Sequence, residues 1–306
     1  MKSALIHEFG SPDVLVAGEA TLRTPQPEEV VVSVEAASVN PLDVKIIAGY
    51  MQPIFPVTFP YAPGTDFSGV IESVGERVRH LKAGDRVVGR TTPSHGGAFA
   101  QRLVIAAAEL CVIPASMGFE QAAALPTAYG TAAQALFDVG KLQPGQRVLI
   151  HAGAGGVGSM AIQLAHLAGC HVIATASAKN IELVKSLGAD EVIDYRSQTL
   201  EGVRDIDLVL DTLGGETLEE SWQVLRPGGH ISTLVEFNIQ GRDGCTGEFV
   251  FFASAVPFLP EAVRQFSAGR LQIIIDSSFT LSDTRAALEK VATAHARGKV
   301  LIRPGT

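Results

Sequence analysis

Cysteine is scarce in this sequence. Its three thiols, Cys111, Cys170 and Cys245, are too few and too widely spread for a disulfide framework or a zinc cluster. His166, Cys170 and His171 stand close together, and the other six histidines each lie far in sequence from another histidine or a cysteine, so no set of zinc ligands stands out. Basic residues are outnumbered: 24 Lys and Arg stand against 32 Asp and Glu, a net charge of -8. That balance argues against a nucleic-acid or anionic-membrane surface as the main business. No run of about 18 uncharged apolar residues appears, so no membrane span is expected. The apolar run in "MKSALIHEFG" is too short for a signal peptide. Internal repeats and low-complexity linkers are missing too, and a reducing, cytoplasmic setting is the expectation.

Core-forming residues, by contrast, are plentiful. Hydrophobic residues make up 46% of the 306 and charged ones 18%, enough to bury a sizeable core in one large domain or two ordinary ones. Up to about residue 118 the texture is short β-rich runs: "EVVVSVEAASV", "FSGVIESVG", "GDRVVGR" and "GGAFAQRLVI". Turn chemistry such as "PGTD" and "LKAGD" separates them, which predicts an antiparallel, barrel-like half. From about residue 119 strands alternate with helices. "RVLIHA", "HVIATA", "EVIDY", "IDLVLDT" and "HISTLV" read as strands, and "GSMAIQLAHLAG", "KNIELVKSLGA" and "ETLEESWQVLRPGG" as helices. This alternation predicts an α/β fold with a parallel sheet. "VPFLPEAVRQFSAGR" gives a further helix, and the tail is strand, helix, strand, placed to return to the first domain.

The stretch "HAGAGGVGSM", residues 151 to 160, carries the chemistry. Gly153, Gly155 and Gly158 satisfy G-x-G-x-x-G after a strand and at the opening of a helix, the context in which the motif holds a dinucleotide. Gly153 is expected to make the tight turn, Gly155 to let the pyrophosphate approach the backbone, and Gly158 to let helix and strand pack closely. The loop as a whole, Gly153, Ala154, Gly155, Gly156, Val157 and Gly158, would present helix N-terminal N–H groups to the anion. An NAD-binding unit usually ends its second strand with a carboxylate for the ribose. Here that strand runs "HVIATASAKN", with Ala176 or Ser177 at the acidic place and Lys179 beyond. Ser177 can donate to a 2'-phosphate and Lys179 can pair with it, so NADP(H) is predicted over NAD(H).

Taken together these stretches resemble the medium-chain dehydrogenase/reductases, and most of all their zinc-free quinone oxidoreductase branch. "SVNPLDVKIIAGY" (38–50), "PGTDFSGVIESVG" (63–75), "LKAGDRVVG", "GGAFAQ", "LPTAYGTAAQAL" (125–136), "LGADEVIDYR" (187–196), "LDTLGGETLEESWQVLRPGGHIST" and the final "GKVLI" occur in the family's order and span nearly the whole chain. The resemblance implies a GroES-like β-barrel catalytic domain at 1–120 and 262–306, and a doubly wound Rossmann domain binding NADP(H) at 121–261. It implies a homodimer, with the active site in the cleft between the domains. The place of the first catalytic zinc ligand in zinc-bearing relatives reads Asn40, and that of the histidine reads Gly64 and Thr65, so no zinc is expected. The activity implied is hydride delivery from NADPH to a quinone or an α,β-unsaturated carbonyl. The alternative from another class is an NADPH-binding protein with little turnover, in a structural or sensing role.

The family match also proposes individual residues. Asn40 is either a donor to the forming oxyanion or an Asx-type turn residue before Pro41. Tyr50 either donates to the substrate oxygen and lines its pocket or is a barrel-edge aromatic. Thr127 matches a threonine on the nicotinamide ribose and also suits a helix N-cap. Tyr195 either matches a tyrosine on the adenosine phosphate or is an ordinary strand-end aromatic. The backbone of Leu234 and Val235 would bond the carboxamide, and Phe251 and Phe252 would pack near the nicotinamide, with core packing the stronger reading for at least one of them. Asp43 and Asp66 lie where turn carboxylates bond backbone N–H groups, and no general acid is assigned to either.

Overall fold

The computed structural model describes residues 1–305. The chain divides into two compact units, Met1–Thr127 with the segment from Ala253 onward, and Ala128–Phe252. Unit 1 begins with a hairpin of β1 (Lys2–Leu5) and β2 (Val16–Glu19). Then come β3 (Glu29–Val39), α1 (Pro41–Ile47), β4 (Asp66–Val74), β5 (Arg86–Arg90), β6 (Arg102–Ala106), β7 (Leu110–Val112) and α2 (Phe119–Ala123). α3 (Pro126–Ala133) carries the chain across the division and runs on as a π-helical stretch, Gln134–Val139. Unit 2 contains β8 (Arg147–Ile150), α4 (Gly156–Leu167), β9 (His171–Ala176), α5 (Ile181–Ser186), β10 (Glu191–Asp194) and β11 (Ile206–Asp211). It ends with α6 (Gly215–Val224), β12 (Leu225–Thr233) and β13 (Thr246–Phe249). The chain then re-enters unit 1 through α7 (Leu259–Ser267), β14 (Ile275–Thr280), α8 (Thr284–Ala292) and β15 (Lys299–Arg303).

In unit 1 the main sheet runs β14-β15-β3-β4-β5-β7, antiparallel except for β14 with β15. β3 is long enough to share one edge between two partners, β6 at Glu29–Ser33 and β15 at Ala37–Val39. Register shifts at Val31/Val32 and Val34/Ala36 bend it against β4, as bulges do. Its alternating valines, with Phe67, Ile71, Phe99 and Ile302, fill a core that holds this long-range pairing together. The tail therefore returns to the first sheet, and it does so beside the strand that leads into Asn40.

In unit 2 all six strands are parallel, in the order β10-β9-β8-β11-β12-β13. The order reverses at β8, which makes the C-terminal end of β8 the topological switch point where open α/β sheets bind ligands. α4 buries residues on every side, from Gly158 to Ala165, with Ser159 and Gln163 the polar ones among them.

Three expectations need correction. The divisions fall at 127/128 and 252/253, not at 120/121 and 261/262, because α2 packs on β3, β4 and β5 and α7 returns with the tail. The helix read as "ETLEESWQVLRPGG" stops at Val224. Pro227 forbids a helical Arg226 before it, and Gly228 adopts a left-handed φ of 77°. Lastly, "VNPLD" opens a helix rather than a turn. Pro41 sits at its first position and Asp43 at its third, where the carboxylate accepts the Asn40 N–H at 2.7 Å.

Candidate functional site

The glycine loop sits at the switch point. β8 ends at Ile150, and the chain turns through Ala152 at φ 50°. The expected turn residue, Gly153, is not the left-handed one. Its glycine is required by packing, since a Cβ there would stand 3.0 Å from Ile162 and 3.1 Å from Ala174. Gly158 keeps its expected role: a Cβ would lie 2.3 Å from the Ala152 carbonyl oxygen. Gly155 precedes α4, and its own N–H goes to the Ala152 carbonyl at 2.9 Å. The N–H groups of Gly156, Val157 and Gly158 point out of the first turn without helical partners. Gly155, Gly156 and Val157 are half-exposed, while Gly153, Ala154 and Gly158 are buried. An anion thus has access to the positive end of α4.

Beyond β9, Ser177 is buried and its hydroxyl accepts from the Asn180 side chain at 3.2 Å. Lys179 is exposed on the following 3-10 turn. Tyr195, at the end of β10, is held to this edge by its N–H on the Ala176 carbonyl, 3.2 Å, with its ring exposed. Arg196, which the sequence reading passed over, lies with its guanidinium 5.9 Å from that ring centre. Lys179 and Arg196 thus follow the ends of β9 and β10, and the Asp194 carboxylate that closes β10 accepts from the Arg196 N–H at 3.2 Å and the Ser197 hydroxyl at 3.0 Å. A basic residue directly after the predicted third strand was the signal available for Arg196.

Leu234 and Val235 follow β12, but their N–H groups are engaged. Leu234 donates to the Asp211 carbonyl at 2.9 Å and Val235 to Thr233 Oγ1 at 3.3 Å. Neither N–H is therefore free to donate to a carboxamide, which corrects that part of the expectation. Phe251 is half-exposed, with its carbonyl accepting from Gln134. Phe252 packs on Gly130, where a Cβ would meet its ring at 2.4 Å.

In unit 1 four charged side chains, Asp43, Asp66, Arg90 and Lys299, are buried together with Asn40. Asp66 is the hub. It accepts from Asn40 Nδ2 at 3.0 Å, from the Thr127 N–H at 3.1 Å and from Thr127 Oγ1 at 2.7 Å. Arg90 Nε lies 3.8 Å from it and Lys299 Nζ 4.0 Å. Lys299 donates to the Val39 carbonyl at 3.2 Å and to Asn40 Oδ1 at 2.5 Å. Arg90 donates to Thr127 Oγ1 at 3.1 Å. Burial pushes Asp43 up to about 7; the nearby Asp66 charge adds to the rise, while the Asn40 N–H, Lys299 and Arg90 oppose it. Burial also lowers Lys299 and Arg90, against the pull of the two carboxylates.

These contacts revise three expectations. Asn40 is neither a free oxyanion donor nor an Asx-turn residue: it is 3% exposed, and its amide lies between Asp66 and Lys299. Thr127 is in the first turn of α3 rather than at its cap, and its hydroxyl proton is spent on Asp66. Tyr50 follows α1, not a barrel edge, and is 79% exposed. Among the described residues no group of three or more His, Cys, Asp or Glu side chains is placed to hold a metal ion. Asn40 Oδ1 already faces an ammonium, which disfavours a second cation there.

Comparison with known proteins adds the following. Residues 26–118 match the Alcohol dehydrogenase GroES-like domain family, and residues 187–302 the family described as Zinc-binding dehydrogenase. The chain is 33% identical, over 96% of its length and 95% of the relative's, to the chloroplastic quinone-oxidoreductase homolog of Spinacia oleracea. The solved quinone oxidoreductase of Coxiella burnetii superposes with a TM-score of 0.92 at 31% identity, covering 99% of both chains. The Escherichia coli quinone oxidoreductase, solved in complex with NADPH, superposes at 0.88 with 27% identity, covering 99% of this chain and all of that one.

Proposed function

The chain belongs to the zinc-free quinone oxidoreductase family of the medium-chain dehydrogenase/reductases, and on that footing we propose an NADPH-dependent reductase of quinones or α,β-unsaturated carbonyls that works without zinc. One observation carries the cofactor reading: the open N-terminus of α4 at the switch point, followed after β9 by Ser177 and an exposed Lys179 with no carboxylate side chain between them. Gly156, Val157 and Gly158 would hold the pyrophosphate on their N–H groups, and Lys179 with Arg196 would pair with the 2'-phosphate. When bound, the nicotinamide supplies the hydride. The protein's own part is to bind, orient and exclude water. Tyr50, whose hydroxyl is open to solvent, is the side chain proposed to donate to the acceptor's oxygen as charge builds there. The homologue complexed with NADPH supports the same choice of cofactor.

The test is NADPH oxidation with 1,2- and 1,4-quinones, 2-alkenals and enones as acceptors, with NADH as control, in wild type and Lys179→Ala. Turnover with at least one acceptor class is expected. Lys179→Ala should cost NADPH about 1.5–3 kcal/mol of affinity, the scale of a hydrogen bond to a charged group, and NADH little. Tight NADPH binding without turnover on any acceptor would overturn the enzymatic reading. Equal losses for both cofactors would overturn the role of Lys179.

A further inference from the structure

Behind the glycine loop lies a chain of hydrogen bonds whose direction is fixed at both ends. The Ala152 N–H, which can only donate, meets Thr175 Oγ1 at 3.1 Å. At the other end the Thr217 carbonyl, which can only accept, takes the Ser221 hydroxyl at 2.6 Å. His151 lies between them, with Nδ1 3.3 Å from Thr175 Oγ1 and Nε2 2.9 Å from Ser221 Oγ. Ser221 has spent its proton, so it must accept from His151 Nε2–H. Thr175 has one proton to place, and His151 Nδ1 is the acceptor for it. A doubly protonated ring would aim a second donor at Thr175 and strand the threonine proton. The ring is 1% exposed. The charged group facing it is Asp211, whose carboxylate is already satisfied by the Leu213 and Gly214 N–H groups and by the Thr233 hydroxyl.

What this chain holds is the strained point of the loop. Ala152 is a non-glycine residue in the left-handed region, a conformation that persists only when its surroundings enforce it. Thr175 enforces it twice: its hydroxyl takes the Ala152 N–H and its carbonyl takes the Gly153 N–H at 2.8 Å. Thr175 is also two residues before Ser177. Thr175 therefore ties the loop that offers N–H groups to a pyrophosphate to the strand end that offers residues to the ribose.

We propose that His151 is a positioning residue for the cofactor: held as the Nε2–H form between Ser221 and Thr175, it locks Ala152 and so shapes the pyrophosphate loop. The inference rests on the nicotinamide cofactor proposed above. It concerns the pyrophosphate, which NADPH and NADH share, so it predicts equal effects on both. Lys179→Ala, in contrast, separates them.

The experiment measures Kd and KM for NADPH and NADH, KM for the acceptor, and the thermal midpoint. It compares wild type with Thr175→Val, Thr175→Ser, His151→Leu and His151→Asn. Thr175→Val keeps the shape and loses the relay. It should weaken both cofactors by about tenfold, the worth of one to two hydrogen bonds, with the loss in cofactor KM rather than kcat. Thr175→Ser should bind within about twofold of wild type. His151→Asn, which keeps an acceptor toward Thr175, should bind better than His151→Leu. Unchanged cofactor binding by Thr175→Val, or a loss that falls on kcat alone, would overturn the proposal, as would a fall in thermal midpoint with Kd intact. Wild type that binds NADH and not NADPH refutes the 2'-phosphate reading and leaves this test intact on NADH. Wild type that binds neither overturns both.

Discussion

Two buried polar networks, one in each unit, are built on opposite principles. Unit 1 buries ions: Asp43, Asp66, Arg90 and Lys299 neutralise one another around Asn40. Unit 2 buries, beside the Asp211 carboxylate, a directed chain of neutral groups from Ala152 to Thr217. Ions bring strong mutual attraction and a large desolvation cost, so the balance fails badly when one partner goes. A neutral chain costs little to bury but has a fixed sense, and it fails when one acceptor goes. The ionic network thus suits holding distant segments together, and the neutral one suits setting the shape of a loop.

The largest expected effect tests the ionic side. Lys299→Met removes a buried cation and leaves Asp66 and Asn40 Oδ1 facing an apolar side chain. Unit 1 should lose about 3–5 kcal/mol, and Lys299→Arg less, because it keeps the charge. Denaturant unfolding followed by hydrogen exchange across β3, β4 and β15 measures it. A loss below about 1 kcal/mol would mean that the cluster is held by packing alone.

Next in size is a pair of opposed pH slopes. Asp43 titrates at about 7 in the fold against an ordinary 3.8. Between these values the folded state binds more protons than the unfolded one, so stability falls as pH rises, by up to about 4 kcal/mol. Burial holds His151 down at about 4 against an ordinary 6.5, with the Asp211 charge pulling the other way. There the unfolded state binds more protons, so stability rises with pH from about 4 to 6.5, by up to about 3 kcal/mol. Between about pH 4.5 and 6.5 Asp43 sets the slope in unit 1 and His151, joined by His230, that in unit 2; the depressed carboxylates Glu29, Glu261 and Asp276 of unit 1 act below that window. Trp222 is the sole tryptophan and lies in unit 2, so its fluorescence should report a transition that strengthens toward neutrality. Hydrogen exchange in unit 1 should report the reverse. Asp43→Asn should flatten the unit 1 slope and His151→Asn the unit 2 slope. Slopes of the same sign in both units would contradict the assignment.

The comparison also explains what the sequence revealed. Unit 2 was legible because its information is local: each strand and helix is a contiguous periodic run, and the loop motif lies between two of them. Unit 1's strands were legible for the same reason, but its network was not. Lys299 and Asn40 are 259 residues apart, and "GKVLI" reads only as a final strand until β15 is seen beside β3. Asn40, read as an oxyanion donor or an Asx-turn residue, has partners that only the fold brings to it. The helix after it carried a start signature, Asn40-Pro41-x-Asp43, that its turn-like composition masked. Ala152, between His151 and Gly153, gave no sign that it would be the left-handed residue.

The smallest expected effect extends the contrast from buried to exposed charge. Arg196 carries the same charge as Arg90, but its side chain stands in solvent beside the Tyr195 ring, where water screens most of what it can contribute. Arg196→Ala should leave stability unchanged and NADH affinity within error. It should weaken NADPH by about 0.3–1 kcal/mol at low salt and by less at 0.5 M salt, because an exposed ion pair is worth little and is screened. Isothermal titration at two ionic strengths decides it. A salt-independent loss, or one as large as that of Lys179→Ala, would mean that Arg196 closes over the 2'-phosphate and excludes water, making it a specificity determinant equal to the lysine.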